Sequence, residues 1–254
     1  MGEPAPGRRA IQTLAGHEDT AIHHLLYLPS DWSKGGTYPV IVEYAGNGPY
    51  HDAFEDVSDG TVEGSKMGYG ISGGKGFIWV CMPYVNAEEG RNQGQWWGDV
   101  GATVDYCLKA VDSICGEYGG DRSALILAGF SRGAIACNYI GLHDDMIASL
   151  WRAFIPFSHY DGVKTDWAYP GSDRTSALAR LKRLGGRPQF ICNEGDSCRA
   201  TEDYLKATGI SGDFTFQPTY FRNHNDAWTL RDCETRRRLR SWLADVLKAS
   251  PGSK

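Results

Sequence analysis

The pentapeptide Gly129-Phe130-Ser131-Arg132-Gly133 constrains the fold of this chain more than any other feature. It follows the apolar run at 124–128 and precedes a helix-compatible stretch at 134–142. A G-x-S-x-G sequence between a buried strand and a helix forms a sharp turn, because its glycines leave room where side chains would strike neighbouring backbone. This context predicts that Ser131 is a nucleophile held at the end of a strand.

Strands and helices alternate along most of the sequence, after an N-terminal hairpin. Apolar runs and helical spacing place the hairpin at 10–14 and 21–28, further strands at 39–45, 76–82, 124–128, 153–157, 188–192 and 214–220, and helices at 103–118, 134–142, 175–184, 201–208 and 227–248. The glycine-rich segment 64–76 reads as a long loop. This alternation predicts an α/β fold with a doubly wound, mostly parallel sheet, and we expect one domain over 1–254.

Charge and hydropathy exclude two classes of partner. The net charge is -5, and the basic cluster of Arg236, Arg237, Arg238 and Arg240 lies in an amphipathic pattern that makes it the solvated face of the last helix. No apolar run approaches the ~20 residues that cross a bilayer. We therefore expect a soluble protein that binds neither nucleic acid nor membrane, with no oligomeric state indicated.

The cysteine pattern leaves the compartment open. Seven cysteines are scattered without C-x-x-C pairs, so a zinc site is not indicated and we expect no metal. Cys198 and Cys233 each follow a proposed catalytic loop, and both a disulfide between them and reduced buried thiols agree with the sequence. The start of the chain lacks the apolar core of a signal peptide, so a cytoplasmic protein and an exported one whose signal was removed both stay possible.

Ser131 needs a base and an acid, and the order of residues along the chain supplies both. His224 lies in a polar loop between the last predicted strand and the last helix, where an α/β hydrolase places its histidine. Asp196 follows the strand at 188–192 and completes the order Ser, Asp, His. We favour Asp196 over Glu194, because the turn at Gly195 can swing it over the sheet edge, and Asp161 is the second alternative.

Backbone N–H groups are the candidates for stabilising a tetrahedral oxyanion. One is the N–H of Arg132, the residue after the nucleophile, and the other belongs to Gly46 or Asn47, in the loop after the strand at 39–45.

Aromatic residues near the expected cleft are candidates for binding sugar rings or phenolic groups. They accompany His159, which follows a predicted strand end, and are Tyr160, Trp96, Trp97, Trp167 and Trp228.

Three segments give the chain a resemblance to the α/β-hydrolase superfamily. They are Tyr27-Leu28-Pro29 before the strand at 38–42, Tyr118-Gly119-Gly120-Asp121-Arg122 before the Ser131 motif, and His224-Asn225-Asp226-Ala227-Trp228 before the last helix. Within the superfamily the chain is similar to carbohydrate-esterase and polyhydroxybutyrate-depolymerase-like serine esterases, which include feruloyl and acetylxylan esterases. The chain departs from them in the first loop, where Ala45-Gly46-Asn47-Gly48 replaces the familiar His-Gly.

The resemblance implies a serine carboxylic-ester hydrolase with the triad Ser131, Asp196 and His224, an acyl-enzyme intermediate, and neither cofactor nor metal. Acyl, feruloyl or acetyl esters of carbohydrates are the implied substrates. A serine peptidase or amidase of the same fold is one alternative, because the same triad cleaves amides. A hydrolase-like binding protein without catalytic activity is the other.

Overall fold

The structure, a computed structural model, describes residues 2–249. The strands are β1 (Arg8–Gln12), β2 (His24–Leu28), β3 (Tyr38–Tyr44), β4 (Tyr50–His51), β5 (Val57–Ser58), β6 (Ile78–Met82), β7 (Val85–Asn86), β8 (Arg91–Asn92), β9 (Gly120–Phe130), β10 (Ala153–Phe157), β11 (Gln189–Asn193) and β12 (Phe214–Pro218). The helices are α1 (Met67–Ser72), α2 (Val100–Tyr118), α3 (Arg132–Tyr139), α4 (Asp145–Ala148), α5 (Arg174–Leu181), α6 (Arg199–Thr208) and α7 (Glu234–Lys248). Two 3-10 helices cover Lys182–Leu184 and Asp226–Leu230.

The central sheet has 8 strands in the order β1-β2-β6-β3-β9-β10-β11-β12. β2 runs antiparallel to both β1 and β6, whereas all other neighbours are parallel. The predicted fold class is confirmed: this is the α/β-hydrolase fold, with an N-terminal antiparallel hairpin. The carboxyl ends of β9, β11 and β12 lie on one edge, where the loops carrying the candidate residues meet.

Both faces of the sheet are buried, as a parallel sheet requires. Along β9, Leu125 and Leu127 belong to the core that includes α2 and α3, whereas Ile126 and Ala128 belong to the opposite core, with α1 and α7. The near-continuous apolar run of this strand therefore reflects helices on both sides.

Helix α1 lies where the sequence predicted a loop. Its glycines permit close packing, because a Cβ on Gly68 would lie 2.1 Å from the Trp79 ring and one on Gly70 would lie 2.3 Å from the Thr229 hydroxyl. Its first N–H groups are satisfied by Glu43 of β3, whose carboxylate accepts from Met67 N at 3.2 Å and Gly68 N at 2.8 Å. Glycines lower helix propensity and the cap is distant in sequence, so the local pattern did not indicate this helix.

The predicted helix at 227–248 is divided in two. The 3-10 helix Asp226–Leu230 ends at Arg231, whose backbone is extended, and α7 begins at Glu234. In the basic cluster of α7, Arg236 and Arg240 donate to the carbonyls of Gly70 and Ile71 at the end of α1. Two of the four arginines therefore join α7 to α1 rather than forming only a solvated face.

No helix within residues 2–249 has the combination of length and apolarity needed to cross a membrane.

Candidate active site

Ser131 lies at the turn between β9 and α3, in the strained backbone that the pentapeptide predicts. Its φ is 56° and its ψ is -116°, a conformation that L residues rarely adopt. The turn is too tight for a side chain at either glycine. A Cβ on Gly129 would lie 2.2 Å from the Gly133 carbonyl oxygen, and a Cβ on Gly133 would lie 1.9 Å from the Tyr44 carbonyl oxygen. The two glycines thus let the turn form against β3.

His224 meets Ser131 as the sequence predicted. Its Nε2 lies 3.0 Å from Ser131 Oγ, and its ring packs on Phe130 with centroids 4.7 Å apart. The hairpin formed by β4 and β5 holds this loop from outside, because Asp56 Oδ1 accepts from His224 N at 2.7 Å and Val57 N donates to His224 O at 3.1 Å. The histidine is therefore fixed by contacts of both its ring and its backbone.

The carboxylate beside His224 is Glu194, which corrects the choice of Asp196. Glu194 Oε1 lies 2.7 Å from His224 Nδ1, whereas Asp196 is exposed. Gly195 adopts a φ of 70°, and its N–H and carbonyl pair with Phe221 and Tyr220, so the turn directs the next side chain outward.

The third candidate acid, Asp161, is also excluded from the site. Its carboxylate is buried in an ion pair with Arg180 at 2.8 Å.

Burial alone would raise the pKa of Glu194, but hydrogen bonds with His224 and Ser158, together with the charge of His224, hold that pKa below its usual range. The carboxylate therefore stays ionised and can accept from an Nδ1–H. This fixes the tautomer in which Nε2 is free to take a proton from Ser131.

Ser158 is a member of this hydrogen-bonded group that sequence reasoning missed. Its Oγ lies 3.1 Å from His224 Nδ1, it is 9% exposed, and its φ of 90° is strained for a residue with a side chain. The available signal was its place directly after β10, at the sheet edge where cleft residues collect. The prediction at this strand end was His159, its neighbour in the sequence.

The predicted oxyanion-hole residues surround Ser131. Arg132 begins α3, and a Cβ on Gly46 would lie 3.2 Å from Ser131 Cβ, so this loop runs directly against the serine. Asn47 lines the cavity in front of Ser131, and its Oδ1 accepts from Trp96 N at 2.7 Å. The assignment of their backbone N–H groups as oxyanion donors stays a prediction.

A cavity of about 460 Å³ opens in front of Ser131 and His224. Of the aromatic candidates, Trp96, Trp167 and His159 line it, together with Tyr50 of the hairpin and Lys164. Burial lowers the pKa of His159 to about 4, with a smaller effect from the charge of His224, so this imidazole is neutral at pH 7.

The other three candidates are core residues, which corrects their assignment to substrate binding. Trp97 stacks on Tyr139 with centroids 4.5 Å apart, and the Tyr160 hydroxyl donates to Gln189 at 2.7 Å. Trp228 is buried against Phe157. Their positions next to cavity or loop residues in the sequence did not reveal which way each ring points.

The cysteines and acidic residues supply neither a disulfide nor a metal site in the part of the chain that is described. All seven cysteines are free, so Cys198 and Cys233 are not joined. Between residues 2 and 249, no three His, Cys, Asp or Glu side chains are grouped so that they could hold a metal ion.

Comparison with known proteins identifies the fold. No protein-family model matches the sequence, and no curated protein does. Among solved structures, the chain is similar to Thermogutta terrifontis esterase 2 phosphorylated by paraoxon, with a TM-score of 0.60 and 14% identity over 96% of each chain. It is also similar to the S954A mutant of the feruloyl esterase module from Clostridium thermocellum complexed with sinapinate, with a TM-score of 0.53 and 13% identity over 89% of this chain and 87% of that one.

A third similar structure is the Pyrococcus horikoshii acylaminoacyl peptidase, with a TM-score of 0.57 and 15% identity over 97% of this chain. The chain spans 42% of that peptidase and 62% of a thermostable esterase that it also resembles. At these identities the likeness establishes the α/β-hydrolase fold.

Proposed function

We propose that this protein is a serine carboxylic-ester hydrolase that works through an acyl-enzyme intermediate. The observation that carries the proposal is the chain of contacts from Glu194 to His224 at 2.7 Å and from His224 to Ser131 at 3.0 Å, open to a cavity of about 460 Å³. A nucleophile within hydrogen-bond reach of a base, which a third group orients, is the arrangement that nucleophilic catalysis requires.

In the proposed reaction, Ser131 Oγ attacks the acyl carbon while His224 Nε2 takes the hydroxyl proton. Glu194 stabilises the imidazolium, and the backbone N–H groups of Arg132 and of Gly46 or Asn47 bind the oxyanion. The tetrahedral intermediate then breaks its bond to the alcohol oxygen, which receives the proton from His224. Water then attacks the acyl carbon while His224 takes its proton. The bond from that carbon to Ser131 Oγ breaks, the acid leaves, and His224 returns the proton to Ser131 Oγ.

The walls of the cavity favour esters with an aromatic acyl group or a sugar alcohol. Trp96 and Trp167 offer ring faces for stacking, and Asn47, Gln95 and Lys164 line the same cavity with polar groups. Feruloyl esters of carbohydrates combine an aromatic acyl group with a sugar alcohol, and acetyl esters of carbohydrates supply the sugar alcohol alone. The similarity to a feruloyl esterase module supports the aromatic acyl group.

The first experiment is labelling with a fluorophosphonate probe, followed by peptide mass mapping. We expect an adduct on Ser131 that is lost in Ser131→Ala and strongly slowed in His224→Ala, with circular dichroism showing that both variants fold. A folded wild-type protein that is neither labelled nor active on p-nitrophenyl acetate would contradict the proposal and favour a binding protein without catalytic activity.

A substrate panel then tests the ester class. We expect hydrolysis of methyl ferulate and acetylated xylo-oligosaccharides, and a higher KM for methyl ferulate in Trp167→Ala. Hydrolysis of peptide anilides at rates above those for esters would instead assign the triad to a peptidase.

A further inference from the structure

Arg132 carries a buried guanidinium whose partners are backbone carbonyls. The side chain is 1% exposed, and burial lowers its pKa to about 10, so it stays charged at neutral pH. Its Nη2 donates to Gly46 O at 2.8 Å, its Nη1 to Trp96 O at 2.5 Å, and its Nε lies 3.4 Å from Ala45 O. Burying a charged group is costly unless it is hydrogen-bonded, and these carbonyls are the acceptors that compensate the guanidinium.

Tyr84 contacts both the same loop and the Arg132 side chain. Its hydroxyl donates to Ala45 O at 2.9 Å, and its ring lies against the Arg132 guanidinium, with 3.8 Å from Cζ to the ring centroid. The carbonyls of two successive residues, Ala45 and Gly46, are therefore held on one side by two buried side chains.

Because the two carbonyls are held, the geometry of the peptide bond also fixes the direction of the N–H groups of Gly46 and Asn47. In a trans peptide the C=O and the following N–H point in opposite directions. Both peptides concerned, 45–46 and 46–47, are trans. When Ala45 O and Gly46 O face the guanidinium, the N–H groups of Gly46 and Asn47 must face away from it.

We propose that the Arg132 side chain is a positioning residue, which holds the peptides 45–46 and 46–47 so that their N–H groups meet the oxyanion formed on Ser131. The inference rests on the proposed esterase function. Arg132 then serves the site twice, because its own backbone N–H is the other candidate donor. Its guanidinium also holds the Trp96 carbonyl, so the same side chain fixes one wall of the cavity.

The test measures oxyanion binding directly, in Arg132→Lys and Arg132→Met. The probe is 1,1,1-trifluoro-4-phenylbutan-2-one, to whose carbonyl Ser131 Oγ adds while the proton passes to His224, leaving an oxyanion. Lysine keeps the charge but lacks the fork of donors. We expect both variants to raise the Ki of the ketone and lower kcat/KM for p-nitrophenyl acetate by the same factor, about 100-fold, as the loss of one oxyanion donor does elsewhere.

Active-site titration with the fluorophosphonate separates positioning from folding. A merely structural role would reduce the number of titratable sites and leave the Ki of the remaining sites unchanged. Arg187→Met is the matched control, because Arg187 also donates to carbonyls, those of Leu184 and Trp151, away from the site. We expect this control to keep the wild-type Ki.

A wild-type Ki in Arg132→Lys or Arg132→Met would overturn the inference while leaving the esterase proposal intact. If the wild-type protein neither hydrolyses esters nor reacts with the fluorophosphonate, the esterase proposal itself fails. If both Arg132 variants unfold, Tyr84→Phe decides, because it removes only the hydroxyl bond to Ala45 O. We then expect a rise in Ki of about fivefold, as one neutral hydrogen bond is worth about 1 kcal/mol, and an unchanged Ki contradicts the positioning role.

Discussion

At the scale of single residues, strain and hydrogen bonding meet at Ser158. Its hydroxyl and the Glu194 carboxylate both reach Nδ1 of His224, at 3.1 Å and 2.7 Å. The backbone that aims the hydroxyl there has a φ of 90°. The strained backbone at Ser158 lowers the stability of the folded protein, and it gives the His224 ring a second hydrogen-bond partner that fixes its orientation.

We therefore expect Ser158→Gly to raise the stability of the folded protein and to lower its catalytic activity. Glycine adopts a φ of 90° freely, so we expect the free energy of unfolding to rise by about 1 kcal/mol. We expect kcat to fall several-fold because the histidine loses one contact. Ser158→Ala keeps the strain and loses the hydroxyl, so it should show the same fall in kcat without the gain in thermal unfolding temperature. Equal stability of the two variants would contradict the role of strain.

Glu194→Gln and Asp196→Asn form a matched pair for the identity of the acid. An amide at 194 no longer stabilises the imidazolium, so we expect kcat/KM to fall by about 10³- to 10⁴-fold, as in other triads. The exposed Asp196 should tolerate its change with activity near wild type. The rate of ester hydrolysis at saturating and at low substrate concentration gives kcat and kcat/KM for each variant. A larger loss of kcat/KM in Asp196→Asn than in Glu194→Gln would identify Asp196 as the acid.

The sequence indicated Ser131 and His224 because each lies in a local context, an elbow and a loop after the last strand, that its neighbours define. It selected the wrong carboxylate because the direction of Glu194 and Asp196 depends on the φ of Gly195 and on its pairing with Phe221. That pairing joins two loops that are distant in the sequence, so the residues around Gly195 alone do not predict it. Side-chain direction also decided which of Trp96 and Trp97 faces the cavity.

At the scale of elements, the strands were predicted best. The apolar runs of the inner strands β2, β6 and β10 are buried on both faces, whereas the short hairpins of β4 with β5 and β7 with β8 carry two residues per strand and no periodic pattern. Helix α1 was missed because its stability depends on Glu43 and on close contact with Trp79. The hairpin of β4 and β5 matters most for the site, since it holds the His224 loop.

The variant Asp56→Ala tests whether the hairpin of β4 and β5 positions His224. The change removes the acceptor of His224 N, so we expect kcat to fall by about tenfold, the effect of losing one hydrogen bond to a charged group. Asp56→Asn keeps an oxygen at Oδ1 and should recover most of the activity. Glu55→Gln, an exposed change in the same hairpin, is the control. Unaltered kinetics in Asp56→Ala would show that the hairpin does not position the histidine.

At the scale of the whole molecule, two buried carboxylates, Glu43 and Asp226, lie where the sheet, α1 and the 3-10 helix Asp226–Leu230 meet. Burial, together with the charge of Asp226, raises the pKa of Glu43 to about 7. Burial also raises the pKa of Asp226 to about 6, although Lys66 at 3.3 Å opposes the rise. Both groups take up protons more readily in the folded protein than in the unfolded chain.

This difference predicts a pH-dependent stability. Between pH 4.5 and about 7 the unfolded chain has lost the Glu43 proton while the folded protein keeps it. The contribution of Glu43 is therefore most favourable below pH 4.5, is lost as the pH rises, and is constant above pH 7. In Glu43→Gln, we expect urea-unfolding free energies to decline less over this range, by about 3 kcal/mol. An identical decline in the variant would contradict the buried titration.

The hairpin of β4 and β5 returns to its starting point. A Cβ on Gly48 would lie 2.3 Å from Gly60 N, so the backbone at the two ends of this excursion is in direct contact. A loop whose ends already touch can change length and sequence without altering the scaffold that it leaves and rejoins. Changes on the hairpin can therefore reshape one wall of the cavity, which Tyr50 lines, provided that Asp56 and Val57 keep their bonds to the His224 loop.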